Sequence, residues 1–220
     1  MDRKRQYDIK TLAEQLRFPN GELGIKVGVN MNKGNRLMNL ETIIQLNIGD
    51  NESILEIGMG NGYFVKDVLS SANNIKYTGC DFSNTMIKEA SLLNISFAAQ
   101  SKFIQAKGDQ LPFDDNYFDK VFTVNTIYFW DEQQCTLGEF RRVLKTGGVF
   151  IVTFRPKIVM NNLPVVKYGF TLFSKEDVMH LLSQNGFDLI SATEIDDTDI
   201  IIDEQAYKNS FIVIKALKLK

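Results

Sequence analysis

The sequence predicts an α/β fold whose seven-stranded, mostly parallel sheet carries helices on both faces. From residue 51 onward, short β-rich runs alternate with helical patterns, which is typical of successive βαβ units. Several of the strand runs are continuously apolar, as expected for strands that helices cover on both sides. The last two strand runs follow each other with no helix between them, so we expect the last strand to be antiparallel.

The predicted elements follow one another in a regular order. Helices are predicted over residues 62–71, 83–93, 131–144 and 174–186, because apolar residues recur there at helical spacing. Ser83 and Ser174 are suitable N-caps, and Gly147 and Gly148 allow a left-handed turn after the third of these helices. Strands are predicted over residues 53–57, 76–81, 103–106, 120–124, 149–154, 187–195 and 210–217.

The first fifty residues are helical in pattern and contain no strand run. Residues 6–16 and 35–46 are the two predicted helices, and Pro19, Gly21 and Gly24 are expected to break the stretch between them. With no internal repeat or linker inside the sheet region, the chain divides into a helical N-terminal segment (residues 1–50) and a sheet domain (residues 51–220).

Composition excludes several classes of function. The 25 basic and 27 acidic side chains give a formal net charge of −2, so nothing indicates a nucleic-acid partner. The N-terminus lacks the apolar stretch of a secretion signal, and no run of apolar residues is long enough to span a bilayer. We therefore expect a cytoplasmic protein. Composition does not decide its oligomeric state, and a monomer or a homodimer is expected.

A glycine-rich loop follows the first predicted strand. Gly58, Gly60 and Gly62 are spaced as G-x-G-x-G, and glycine at such positions lets the backbone turn sharply and approach a ligand. The third glycine comes one residue earlier than in the dinucleotide-binding fingerprint, which disfavours a nucleotide-dependent oxidoreductase. No Lys-Ser or Lys-Thr pair follows, which disfavours a triphosphate site.

Two acidic residues follow the next two strands. Asp81 ends the second strand, where a carboxylate can accept hydrogen bonds from both hydroxyls of a ribose; the alternative role, an N-cap, is better filled by Ser83. Asp109 follows the third strand and can accept from an exocyclic adenine amine, with Gln110 and Leu111 along the ring. Alternatively, Asp109 is an exposed turn residue.

Together these motifs resemble the class I S-adenosylmethionine-dependent methyltransferases, especially the branch of ubiquinone/menaquinone C-methylases and other small-molecule enzymes. The resemblance rests on four stretches: ILEIGMGNGYF, GCDFS, GDQLPFDDNYFDKVFTVNTIYFW and EFRRVLKTGGVFIV. It implies a Rossmann-like seven-stranded sheet with an antiparallel last strand and a methyltransferase domain over residues 51–220. It also implies in-line transfer of the methyl group of S-adenosylmethionine to a small-molecule acceptor.

The resemblance also assigns residues to the cofactor. Glu56 and the three glycines of the loop would surround the methionine part of the cofactor. Asp81 would hold the ribose, and Phe82 would pack against the adenine. The cofactor-binding residues predicted in this way are Glu56, Gly58, Gly60, Asn61, Gly62, Asp81, Phe82, Ser83, Asp109, Gln110, Leu111 and Asn125.

The acceptor side is less defined by the sequence. Relatives in this branch often carry a histidine near position 128, but this chain has Tyr128, a poor base at neutral pH. Arg155 either binds an anionic acceptor or pairs with a surface carboxylate. Tyr128 and Arg155 are the candidate catalytic residues. The N-terminal segment is expected to form a partial lid, and residues 156–173 a second wall. Candidate substrate-binding residues are Met31, Asn32, Asn35, Tyr128, Trp130 and Arg155.

Several alternatives accompany this interpretation. Met31, Asn32 and Asn35 can instead cap helices around Gly34, and Tyr128 and Trp130 can instead pack in the core. A catalytically silent methyltransferase-fold module that assists a partner is the main functional alternative. A protein acceptor is a further one, although the Asn-Pro-Pro-Tyr motif of amino-methylating enzymes is missing. The acidic cluster is predicted to be a solvated hairpin tip without a metal; it comprises Asp196, Asp197, Asp199 and Asp203.

Overall fold

The computed structural model describes residues 8–202 and 204–219 of the 220-residue chain. Its helices are α1 (Ile9–Arg17), α2 (Gly21–Gly34), α3 (Arg36–Leu46), α4 (Val65–Leu69), α5 (Asn84–Leu93), α6 (Gln133–Val143), α7 (Lys157–Met160) and α8 (Lys175–Gln184). Its strands are β1 (Ser53–Ile57), β2 (Lys76–Asp81), β3 (Ser101–Gln105), β4 (Phe118–Val124), β5 (Leu144–Phe154), β6 (Phe187–Ile202) and β7 (Gln205–Lys218). Short 3-10 turns lie at Ile95–Phe97, Ile127–Phe129 and Pro164–Lys167.

The seven strands form one sheet in the order β3-β2-β1-β4-β5-β7-β6. β1 to β5 pair in parallel, whereas β7 is antiparallel to both of its neighbours, which confirms the predicted fold class. The chain moves outward from β1 to β3 and then returns to the other side of β1 with β4. This reversal leaves a crevice at the carboxyl ends of β1 and β4, where open α/β sheets bind their ligands.

Alternating strand residues supply two separate cores, because successive side chains point to opposite faces of the sheet. On one face Ile54 packs in a cluster with Met38 of α3 and Val65 of α4. On the other face Leu55 belongs to the cluster that contains Phe140 of α6. The helices thus cover both faces of the sheet.

The N-terminal segment differs from the prediction, because α2 occupies the stretch that was expected to be broken. α2 is 14 residues long and begins at Gly21, which has a positive φ of 59°. A Cβ atom on Gly24 would lie 2.6 Å from the carbonyl carbon of Pro19, so this glycine allows the preceding turn to pack closely. α1 begins after its cap, Asp8; residues 6 and 7 of the predicted helix lie outside the described residues.

The C-terminal hairpin also differs from the prediction of a solvated acidic loop. β6 continues to Ile202, so Asp196, Asp197 and Asp199 lie within a strand, with a register shift between Asp197 and Ile200. Asp196 is exposed and pairs with Lys208, but Asp197 is largely buried. The prediction was therefore wrong for Asp197, which the strand directs inward; Asp203 lies outside the described residues.

The N-terminal helices are fastened to the sheet by side chains at both ends. The Thr42 and Thr153 hydroxyl oxygens are 2.6 Å apart in a buried contact, and the Lys215 ammonium donates to the Gln45 carbonyl at 2.9 Å. Near α1, the Ser83 hydroxyl donates to the Pro19 carbonyl. These contacts hold the segment across the open end of the crevice. None of the helices in the described ranges combines the length and apolar character needed to cross a bilayer.

Candidate functional site

The crevice encloses a cavity of about 760 Å³, a volume typical of small-molecule sites. Its floor is formed by the ends of β1, β2, β4 and β5, and its roof by the N-terminal helices. Two halves can be distinguished. The first, which we call the loop half, contains the glycine loop and the residues after β2 and β3. The second, the hairpin half, contains the residues after β4 and β5 and the inner side of β6 and β7.

The glycine loop has the backbone conformation that its sequence predicts. Gly58, Gly60 and Gly62 have positive φ values of 71°, 58° and 67°, which other residues adopt only with strain. The Gly58 N–H donates to the Cys80 carbonyl at 2.7 Å, so the loop folds against the end of β2. A Cβ atom on Gly58 would collide with the methyl group of Thr126, which makes glycine a steric requirement there.

Asn61 carries an unsatisfied polar atom inside the cavity wall. Its side chain is buried. Among the buried side-chain N and O atoms of the described residues, Asn61 Oδ1 is the one that lacks a hydrogen-bond partner. Buried polar atoms without partners are uncommon, because each one loses its bond to water without a replacement. Asn61 lines the cavity, so a ligand N–H or O–H group would satisfy this oxygen.

Two buried carboxyl groups face the same space. Asp81 accepts hydrogen bonds from the Ser83 N–H at 2.9 Å and the Gly60 N–H at 3.1 Å. Glu56 accepts one from the Tyr77 hydroxyl at 2.6 Å. Burial raises the pKa of Glu56 to about 7 and that of Asp81 to about 6, because their charged forms are poorly solvated. The pair therefore favours a ligand that brings positive charge or hydrogen-bond donors.

The outer end of the loop half combines an aromatic stack with an exposed carboxylate. The Phe82 ring stacks on Phe18 with centroids 4.6 Å apart and an interplanar angle of 24°. Asp109 is exposed and lines the cavity, whereas the cavity wall includes neither Gln110, which is exposed, nor Leu111, which is buried in the core. Ser83 lies just behind this wall, where its hydroxyl caps α5.

Asn125 joins the two halves. It follows β4 with a positive φ of 57°, and its amide nitrogen donates to Asn35 Oδ1 at 3.0 Å. The Asn125 Oδ1 atom lies 3.0 Å from the Tyr128 hydroxyl. The end of β4 is thus connected to the junction between α2 and α3, 90 residues earlier in the chain.

Tyr128 is positioned as a structural link. Its hydroxyl accepts from the Arg155 N–H at 2.6 Å and lies 3.0 Å from the Arg155 carbonyl oxygen, so it bridges the ends of β4 and β5. Burial raises the pKa of Tyr128 above its ordinary value, which makes its deprotonation harder. Trp130, the neighbouring candidate, donates its indole N–H to the Thr126 hydroxyl at 3.1 Å and packs edge-on against Phe140.

Arg155 pairs with a carboxylate, but this partner is largely buried and is not the surface carboxylate that the sequence suggested. The residue is 8% exposed, and its guanidinium donates to Asp197 at 2.9 Å. It also donates to Asn209 Oδ1 at 2.5 Å and to the Gly34 carbonyl at 3.0 Å. These partners come from β6, β7 and α2, up to 121 residues away. The sequence pattern identified none of them as a partner of Arg155.

The remaining wall of the hairpin half contains candidates from both ends of the chain. Met31, Asn32 and Asn35 line the cavity from the side of α2. The stretch predicted to form a second wall does contribute to it, through apolar side chains around α7 and the turn after it. These side chains are Met160, Leu163, Val165 and Phe170.

Comparisons with known proteins agree with this architecture. Residues 55–152 match the family model described as a methyltransferase domain. The chain is 32% identical over 123 residues to the uncharacterized methyltransferase YdaC of Bacillus subtilis, an alignment that covers 56% of this chain and 67% of that protein. It is 34% identical over 180 residues to an uncharacterized protein of Methanocaldococcus jannaschii, with 75% and 82% covered.

A similar solved structure comes from the complex between the Trm112 methyltransferase activator of Haloferax volcanii and a methyltransferase. The TM-score is 0.76, and the match covers 97% of this chain and 98% of that one. At 17% identity this likeness concerns the fold alone.

Proposed function

Since the chain belongs to the class I S-adenosylmethionine-dependent methyltransferases, we propose that it transfers the methyl group of S-adenosylmethionine to a small-molecule acceptor. The observation that carries the proposal is the loop half of the cavity. There, Gly58 and Gly60 of the left-handed glycine loop, the two buried carboxyl groups and Asn61 with its unsatisfied amide oxygen line the same space, whereas Gly62 packs against α5. These features match a ligand with an amino group and a ribose.

In this proposal Glu56 and Asn61 bind the methionine part of the cofactor, and Asp81 binds the ribose hydroxyls. The unsatisfied Asn61 Oδ1 atom supports this fit, because the ammonium group of an amino acid is a suitable donor. Phe82 and Asp109 flank the adenine. When bound, the cofactor supplies an electrophilic methyl group on a positively charged sulfur.

The chain's own contribution to the reaction is mainly to hold the two reactants in line. Correct placement alone can supply a large part of a rate enhancement. Tyr128 is assigned no role as a base, because its hydroxyl is engaged with Arg155 and its pKa is raised. The acceptor must therefore react without strong base catalysis from this tyrosine.

The hairpin half is proposed as the acceptor site. Its apolar wall suits the body of a small organic molecule, and Asn32 and Asn35 offer neutral hydrogen-bonding groups. Arg155 is already paired with Asp197, so it does not supply a free positive charge for an anionic acceptor. In the same proposal residues 1–50 act as a lid and residues 51–220 as the methyltransferase domain.

Titration calorimetry with S-adenosylmethionine and S-adenosylhomocysteine tests the proposal directly. We expect both to bind the wild type, and Asp81→Ala to weaken binding by about tenfold or more, because a buried carboxylate that bonds ribose hydroxyls is lost. Asp188→Ala, an exposed aspartate on β6, is the matched control and should bind like the wild type. A folded wild type that binds neither compound would contradict the enzymatic proposal.

The second candidate is a catalytically silent methyltransferase-fold module that assists a partner protein. The Haloferax complex supports only the involvement of a partner, because a chain of nearly the same extent and fold occurs there together with an activator. Such a module either binds the cofactor only when the partner is present or does not bind it at all. Calorimetry of the isolated chain separates the two candidates, since the first requires cofactor binding without a partner.

A further inference from the structure

Tyr77 lies behind the loop half of the cavity and is connected to it through the side chain of Glu56. The residue is 1% exposed and is not part of the cavity wall, whereas its partner Glu56 is. The Tyr77 hydroxyl donates to Glu56 Oε2 at 2.6 Å. Among the described residues, no other group donates a hydrogen bond to this carboxylate. Glu56 is thus held from below by one hydrogen bond, with its remaining capacity directed at the cavity.

The neighbouring backbone is shaped to allow this bond. Glu56 on β1 is paired in register with Gly79 on β2, two residues after Tyr77 and on the same face. A Cβ atom on Gly79 would lie 3.0 Å from the Tyr77 hydroxyl oxygen and would collide with the Met59 sulfur. Glycine at position 79 therefore leaves the space through which the tyrosine hydroxyl reaches the adjacent strand.

We propose that Tyr77 is a positioning residue for cofactor binding, which holds the Glu56 carboxylate toward the amino group of the cofactor's methionine part. The inference rests on the proposed function and deepens it. A buried carboxylate with one fixed oxygen is preorganised, so it loses less side-chain entropy when it meets a cation. Tyr77 acts through Glu56 and does not itself touch the ligand.

The bond also sets the pH range in which Glu56 is charged. Burial raises the pKa of Glu56 to about 7, the Tyr77 hydrogen bond opposes that rise, and the nearby negative charge of Asp81 adds to it. Among the described residues, the strand partners of Glu56 are Gly79 and Phe122, and α3 contributes Asn39 to the cavity wall; these three side chains do not titrate. Loss of the tyrosine hydroxyl should therefore move the ionisation of Glu56 to higher pH.

The test compares the wild type with Tyr77→Phe by calorimetry at several pH values. S-adenosylhomocysteine carries the amino group, whereas 5′-methylthioadenosine lacks the amino-acid part. We expect Tyr77→Phe to bind S-adenosylhomocysteine about tenfold more weakly near neutral pH, the effect of losing a hydrogen bond to a charged group. Its loss of affinity on acidification should begin at higher pH, and its affinity for 5′-methylthioadenosine should match that of the wild type.

Tyr117→Phe is the matched control, because it removes the same atom from an exposed tyrosine next to β4. A double-mutant cycle with Glu56→Gln shows whether Tyr77 acts through the carboxylate: Tyr77→Phe should have little further effect in that background. Additive losses in the cycle, or identical pH profiles for wild type and Tyr77→Phe, would overturn the inference alone. Absence of S-adenosylhomocysteine binding to the folded wild type would overturn the proposed function and this inference with it.

Discussion

The two halves of the cavity are built in different ways. In the loop half, the hydrogen bonds to the two carboxyl groups join residues that are close along the chain: Gly60 donates to Asp81 and Tyr77 donates to Glu56, each across 21 positions. In the hairpin half, Arg155 reaches back 121 positions to Gly34 and forward 42 to Asp197. The loop half leaves the Asn61 Oδ1 atom without a partner and buries two carboxyl groups, whereas the polar groups around Arg155 are paired with one another.

This difference indicates a division of labour between binding and stability. The unpaired Asn61 oxygen and the two buried carboxyl groups of the loop half lower the stability of the free protein, and they become favourable only when a ligand meets them. The paired groups at the hairpin half join β5, β6, β7 and α2, so they stabilise the fold before any ligand binds. Substitutions in the loop half should therefore change affinity most, and substitutions in the hairpin half should change the free energy of unfolding most.

The largest effect is expected from Asp197→Ala. The substitution leaves the buried guanidinium of Arg155 without its anionic partner, which should lower the free energy of unfolding by about 3 kcal/mol. Urea denaturation measures the loss. Affinity for S-adenosylhomocysteine should change by less than about twofold, because Asp197 lies in the hairpin half and the proposed cofactor site is the loop half.

Asp196→Ala is the matched control for that experiment. Asp196 precedes Asp197 in β6, but its pair with Lys208 is exposed on both sides, so its removal should cost less than about 1 kcal/mol. Equal losses for the two alanine variants would show that burial of the Arg155 pair does not matter. A large loss of affinity for S-adenosylhomocysteine in Asp197→Ala would contradict the proposed separation of ligand binding and stability between the two halves.

The same contrast explains which features the sequence predicted. Strand positions, the glycine loop and Asp81 follow from short-range patterns, and the structure places Glu56, Gly58 and Asp81 along one wall of the cavity. The partners of Arg155 depend on where distant strands meet, and no spacing rule contains that information. The sequence does not predict α2 for a related reason. By residue type alone Gly24 indicates a helix break, whereas in the structure it lies within α2 and allows close packing against Pro19.

A medium effect, with a characteristic pH dependence, is expected from Glu56→Gln. The pKa of Glu56 is raised from 4.5 to about 7 in the folded protein, so the unfolded chain ionises first as pH rises. The contribution of this group to stability is thus full below about pH 4.5 and is lost as pH rises through about 7. Relative to the wild type, the free energy of unfolding of the glutamine variant should therefore rise by roughly 2–3 kcal/mol between pH 4.5 and pH 8.

Glu139→Gln tests the opposite sign. The hydrogen bond from Arg142 lowers the pKa of Glu139, so this carboxylate stabilises the fold above its unfolded pKa and that stability is lost on acidification. The variant should be less stable than the wild type at neutral pH, and the difference should shrink in acid. Denaturation curves at matched pH values measure both variants. Parallel pH profiles for the Glu56 and Glu139 variants would contradict the assigned burial of Glu56.

The smallest effect separates backbone strain from steric fit within the glycine loop. Gly58 and Gly60 both have positive φ, but a Cβ atom on Gly60 meets nothing within 4 Å, whereas one on Gly58 collides with the Thr126 methyl group. Gly60→Ala should therefore lower the free energy of unfolding by about 1 kcal/mol, the cost of the left-handed conformation alone. Gly58→Ala should cost about 1 kcal/mol more, the lower end of the range for overpacking. Thr126→Ser removes the methyl group and retains the hydroxyl that accepts from Trp130, so it should abolish this extra cost; an undiminished difference would place the strain elsewhere in the loop.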